Sequence, residues 1–283
     1  MNGWAKDVVS WKVGRTLYCS VPFTWLLPKA MLLAQAHKGP VEVGGPGAIL
    51  RRDEIGWAEV RESCQYDALA MHNPLATFTT RGCVRACGFC AVPRIEGEFR
   101  ELKGWKPNPV VCDNNFLAAS KRHVERAVDA LRAFPYVDFN QGLDARLFTK
   151  WHAGQLARLR GVKVRFAMDG RSQVGPVSDA VARARAAGLR DFGVYVLIGF
   201  KDAPEEARDR LEFVRSLGIR PTPMRYQPLD AEAKDGHVAE GWTERELAKT
   251  MRYYSKLRWL EHVPFEEYVH SGPEGQGELG FAE

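Results

Sequence analysis

Between residues 76 and 227, short apolar strand patterns alternate with amphipathic helical ones, and this alternation leaves few folds open to the chain. Strands are predicted at 76–80, 110–112, 137–140, 162–168, 192–200 and 223–227, with helices at 120–134, 150–159, 177–187 and 204–217. Repeated β-α units imply a parallel sheet with helices outside, curled into a full or partial barrel. Six strands predict a partial (β/α)6 barrel over residues 71–230. Gly161, Gly188 and Gly218 each follow a helical pattern, where a left-handed C-terminal cap favours glycine.

The flanks read differently. Residues 16–20 form a strand pattern, 23–37 a helix and 41–43 a second strand that runs into Gly44-Gly45-Pro46-Gly47. This predicts a small N-terminal β-α-β unit over residues 1–70. Residues 231–283 hold a loop, an amphipathic helix at 243–260 and a Gly/Glu-rich tail from Ser271 that is expected to be disordered. With 283 residues, 45% of them hydrophobic, the chain can build one large core with small appendages. A bilayer span needs roughly 20 apolar residues, and the greasiest stretch, 23–36, is broken by Pro28, Lys29 and Gln35. No membrane association is expected, and the first residues lack a signal-peptide pattern, which predicts a cytoplasmic protein. The net charge of +5 permits an anionic partner without requiring one.

Three of the six cysteines crowd into residues 83–90, while Cys19, Cys64 and Cys112 stand alone. That distribution favours a metal site over disulfides. Cys83, Cys87 and Cys90 are separated by three and then two residues, most of them small, so one loop can wrap a cubane cluster with one thiolate to each of three irons. The fourth iron stays open, as chemistry requires. A zinc site completed by a histidine such as His72, or buried thiols that bind nothing, are the alternatives. Zinc sites usually come as paired Cys-x2-Cys halves, and no second half is present.

The motif from Thr80 to Cys90 strongly resembles that of the radical S-adenosylmethionine (SAM) superfamily. The resemblance implies a [4Fe-4S] cluster whose open iron is chelated by SAM, reductive cleavage to a 5′-deoxyadenosyl radical, hydrogen abstraction from a substrate, and an electron donor of flavodoxin or ferredoxin type. It also implies that aromatic Phe89 lies against the adenine. The longer run 79–100 looks like the branch of methylthiotransferases and cobalamin-dependent enzymes. Two departures matter. None of the seven histidines sits in the Asp-x-His-x-x-Gly motif that supplies the cobalt ligand, so no cobalamin is expected and residues 41–48 read as a remnant of such a domain. Only Cys19 and Cys64 precede the motif, which disfavours a second cluster.

Ligands of β-α barrels bind at the carboxyl ends of strands, so polar residues there are the site candidates. Asp113 and Asn114 are candidates for the SAM ammonium, and Asp169 and Ser172 for its ribose and carboxylate. Ile198 and Gly199 offer backbone to the adenine edge, and Gln141, Asp144 and Arg146 are candidates for catalysis. The bland alternatives are that Asp113 and Asp169 cap helices, that Arg146 and Arg171 are surface charge, and that Cys112 is a buried structural thiol.

The C-terminal helix mixes Lys249, Arg252, Lys256 and Arg258 with Tyr253, Tyr254 and Trp259, a pattern that can neutralise phosphates and stack bases. An ordinary amphipathic helix is the alternative. The compact chain is similar to short radical SAM proteins of phages and bacteria that alter nucleobases, including amino-acid-modified thymidines in phage DNA. That resemblance implies a modified nucleobase or nucleotide as substrate, with isomerisation or rearrangement as the outcome. A peptide or small-metabolite substrate, or a non-catalytic iron-sulfur or zinc module, stays open.

Overall fold

In the computed structural model, which describes residues 4–55, 59–61, 66–260 and 262–269, the apolar alternation resolves into two main sheets. Cys64 and the tail from Ser271 lie outside the described residues. The first part of the chain forms β1 (Val9–Val13), β2 (Thr16–Ser20), α1 (Leu27–Gln35), β3 (Val41–Gly44), α2 (Pro46–Leu50) and β4 (Glu59–Arg61). Its four strands lie in the order β1-β2-β3-β4, with β1 antiparallel to β2 and the other pairs parallel. The expected β-α-β unit is β2-α1-β3, and β1 and β4 extend it on either side. Leu17, Cys19 and Val21 of one face pack with Leu27 and Ala30 beneath α1. Tyr18 and Ser20, one residue out of phase, face the other way, as the two-residue period of a strand demands.

The second part runs through α3 (Ala68–His72), β5 (Ala76–Thr77), β6 (Thr80–Arg81), α4 (Val92–Ile95), β7 (Arg100–Glu101), β8 (Val110–Val111), α5 (Lys121–Leu131) and β9 (Val137–Phe139). It continues with α6 (Lys150–Leu156), β10 (Val162–Met168), α7 (Val174–Ala186), β11 (Asp191–Ile198), α8 (Pro204–Ser216), β12 (Pro221–Arg225), α9 (Glu244–Ser255) and α10 (Leu257–Leu260). Strands β5, β8, β9, β10, β11 and β12 form one parallel sheet in chain order, and β6 and β7 form a separate antiparallel hairpin. Chain order with parallel pairing is what successive β-α units produce.

Burial along β10 alternates strictly: Val162, Val164, Phe166 and Met168 are buried against the helices, and Lys163, Arg165 and Ala167 are partly open on the opposite face. That second face is polar. Arg165 is paired with Asp138 and donates to the Phe139 carbonyl at 3.1 Å, while the Tyr195 hydroxyl donates to the Asn140 carbonyl at 3.2 Å. Gly161, Gly188 and Gly218 all take positive φ, as their positions after helical patterns predicted. Among the described residues, no helix is long and apolar enough to cross a membrane.

The C-terminal helix departs from the nucleic-acid reading. It breaks at Lys256, and Tyr253 and Tyr254 are buried in the main core, their hydroxyls donating to the Val263 carbonyl at 2.7 Å and to Glu212 at 2.6 Å. These rings are packing groups, so the amphipathic-helix alternative holds for them; Trp259 alone is open to solvent, at 78%. Deeper in the same core, Arg210 is ion-paired with Asp202 and donates to the Leu197 carbonyl at 2.8 Å, and the Trp242 indole donates to the Asp202 carbonyl at 2.7 Å. Removing one partner of a buried pair strands the other charge. Asp202→Ala is expected to lower the unfolding free energy by about 3–5 kcal/mol, read by urea denaturation.

Candidate functional site

The cysteine loop leaves the sheet at Thr77, because β5 is only two residues long and the next residues bond elsewhere. Their partners come from the carboxyl end of β8. The Asp113 carboxylate accepts from the Thr79 amide at 2.6 Å and from the Thr79 hydroxyl, which also meets His123 Nε2 at 3.1 Å. Asn114 Oδ1 accepts from the Gly82 amide at 3.2 Å, and Asn115 Nδ2 donates to Cys83 Sγ at 3.3 Å. Three consecutive side chains thus hold three successive points of the loop. Gly82 is required there: its φ is +74°, and a Cβ would lie 2.3 Å from the Glu98 carbonyl oxygen across the β6–β7 hairpin.

Cys83, Cys87 and Cys90 are partly exposed free thiols on this loop. The Arg85 amide gives Cys83 Sγ a second donor at 3.3 Å, and the Cys90 amide closes a turn on the Cys87 carbonyl at 2.9 Å. Burial, with Asp169 adding to it, pushes the Cys87 thiol up, and burial does the same to Cys90. The other two described cysteines differ. Cys19 and Cys112 are fully buried, and burial pushes their thiols up to about 11 and about 12 respectively, so both are protonated core groups, as predicted for Cys112.

A second tie reaches the loop from β9. After Phe139 the chain bulges over residues 140–142 and rejoins the sheet at Leu143, whose amide donates to the Arg165 carbonyl at 2.6 Å. Asp144 is thereby set at the strand ends, where it accepts from Arg146 Nε at 2.6 Å and from Arg85 Nε at 2.9 Å. Burial alone would raise its carboxyl, but the Arg146 and Arg85 hydrogen bonds outweigh that and hold it below its usual value. Asp169 faces the same cluster with the opposite result: burial raises its carboxyl, against a weak hydrogen bond from Gln173 at 3.4 Å and the nearby Arg146.

The predicted candidates therefore divide. Asp144, Arg146 and Asp169 share one electrostatic environment with Cys87. Phe89 lies edge-to-face on Phe200 at 5.4 Å, and Phe200 leans on Tyr226 at 4.7 Å, an aromatic row past Gly199, whose φ is +73°. The others lie as follows. Asp113 is buried, its two oxygens taken up by the loop, which makes it an anchor of that loop. The Ile198 carbonyl accepts from the Tyr226 amide. Ser172 is exposed on the turn after β10, and Gln141 is exposed on the side of the N-terminal sheet. Arg85 and Asn115 were missed, although both sit inside motifs already singled out.

The donor set fits a three-thiolate cluster site in its chemistry. The three thiols are free, none is bonded to a carboxylate or imidazole among the described residues, and two N–H groups already point at the Cys83 sulfur, which favours negative charge there. His72, the candidate fourth zinc ligand, instead meets the Ser20 hydroxyl at 2.9 Å. Among the described residues, no three His, Cys, Asp or Glu side chains are already converged as a metal-holding group, so the fit rests on spacing and donors. No protein-family model matches the chain, and no curated protein matches it in sequence.

Asp144 generates a pH prediction. Because its carboxyl titrates below the usual 3.8 when folded, its contribution is present above pH 3.8 and is lost as pH falls through the folded value. Asp144→Asn is expected to cost about 1–3 kcal/mol at neutral pH, and urea unfolding from pH 5 to pH 3 should show a flatter loss than the wild type.

Proposed function

We propose that the chain is a radical SAM enzyme with a [4Fe-4S] cluster on Cys83, Cys87 and Cys90, acting on a modified nucleobase or nucleotide. The observation that carries this reading is the free three-thiol loop, tethered residue by residue by Asn114 and Asn115 at the carboxyl end of a parallel sheet whose strands follow chain order. A partial barrel fits the same facts: helices cover one face, and polar Asp138, Arg165 and Tyr195 line the other.

When bound, the cluster and SAM supply a one-electron cleavage that yields methionine and a 5′-deoxyadenosyl radical. The chain's own residues have separable tasks. Asn115 and Arg85 stabilise negative charge on the Cys83 sulfur; Phe89 and Gly199 offer a ring and open backbone to an adenine; Asp169 and Arg146 offer a carboxylate and a guanidinium to polar groups beside Cys87. Free thiols of this kind fit a reducing compartment, in keeping with the cytoplasmic expectation, and the cycle calls for an external one-electron donor.

The test is anaerobic reconstitution with iron and sulfide, addition of SAM and dithionite, and assay of 5′-deoxyadenosine, with Cys87→Ala as control. Product from the wild type alone is expected; a colourless protein that takes up zinc and leaves SAM intact overturns the reading. A second measurement addresses Asn115: Asn115→Leu removes one N–H···S bond, and the cluster midpoint potential is expected to move negative in a spectroscopic titration.

A further inference from the structure

Outside the thiol loop, a cleft of about 1120 Å³ opens between the N-terminal sheet and the β5 side of the parallel sheet. Its volume is somewhat above the range for small-ligand sites, about 300–1,000 Å³. One wall is aromatic. Trp11 and Tyr18 are directly paired across β1 and β2, and their rings stack at 5.5 Å with 10° between planes, with Tyr66 edge-on to Tyr18 at 5.0 Å. Trp105 and Phe78 line the cleft as well. Within this wall the Trp11 indole N–H is buried and has no hydrogen-bond partner among the described residues.

The rim is cationic. Arg94, Arg100 and Lys106 line the cleft, are exposed, and form no ion pair with a carboxylate among the described residues; Arg94 and Arg100 meet only backbone carbonyls. Two of the lining acids are engaged elsewhere: Glu96 is paired with Arg81, and Asp67 caps α3 by accepting from the Ala70 amide at 3.0 Å. The Ser20–His72 pair adds polar hydrogen-bonding groups to the lining. Partly exposed rings and cations without carboxylate partners together match a base joined to phosphates, and an apolar peptide would leave the cations unused.

We propose that this cleft binds a single-stranded nucleic acid, with a base against the partly exposed Trp11 and Trp105 rings and phosphates on Arg94, Arg100 and Lys106. Tyr253 and Tyr254 of the C-terminal helix are buried and supply no stacking surface. The choice of ligand deepens the nucleotide reading above, but it does not depend on the radical chemistry.

The test is fluorescence anisotropy of labelled oligo(dT), oligo(rU) and thymidine monophosphate with the full chain, purified anaerobically and without SAM. Saturable binding of one or both oligomers is expected, far weaker binding of the mononucleotide, and a log–log salt slope near −2 for three phosphate contacts at about −0.7 each. The better oligomer identifies the sugar. Arg100→Ala and Lys106→Ala, both at exposed positions, should each weaken binding and reduce the slope by about 0.7, and Trp11→Ala should weaken it about tenfold or more. No binding at low salt, equal binding of the mononucleotide, or binding indifferent to Arg100→Ala and Lys106→Ala overturns the proposal. A chain that forms 5′-deoxyadenosine yet binds no strand removes the cleft proposal alone, whereas one that binds the strand and leaves SAM intact removes only the chemistry.

Discussion

The Asp113 carboxylate, closed over by Thr79, is the contact on which the candidate site depends. The parallel sheet cannot hold the cysteine loop, because β5 ends after two residues and the chain then turns out of that ladder into the short β6–β7 hairpin. A buried carboxylate is costly unless donors surround it, and here the Thr79 amide and hydroxyl supply them. The burial is also selective, since only a chain that folds back at Thr79 brings those donors to the end of β8. From that anchor Asn114 and Asn115 extend the hold to Gly82 and Cys83.

Charge then organises what the anchor positions. Asp144 joins Arg85 of the loop to Arg146 of the strand end, so the cysteines and the sheet are linked by one carboxylate and two guanidiniums. Asp169 lies in the same field without an ion pair among the described residues, and burial leaves its carboxyl raised while that of Asp144 is lowered. Two carboxylates with opposed shifts beside three thiols make this end of the sheet chemically uneven, the condition in which polar groups take distinct roles.

The N-terminal sheet has its own division of labour. One face of β2 closes over α1 with Leu17, Cys19 and Val21, and the other turns Tyr18 and Ser20 toward the cleft. That second face lines one cleft together with Trp105 and with Arg81 and Arg100 of the β6–β7 hairpin.

The β-α alternation was legible because strand and helix periods are local properties, and Val162–Met168 is found where the pattern put it. Local punctuation was equally readable in Gly161, Gly188 and Gly218, and so was the clustering of Cys83, Cys87 and Cys90. The strand β1 escaped because Val9–Val13 is short and little buried. The sequence by itself determined which residue types crowd the strand ends and which thiols share a loop. Only the tertiary structure decided that Asp113 is an anchor, that Asn115 reaches Cys83 across 32 residues, and that Tyr253 and Tyr254 face inward. Those outcomes are set by long-range hydrogen bonds and burial, which no local period encodes.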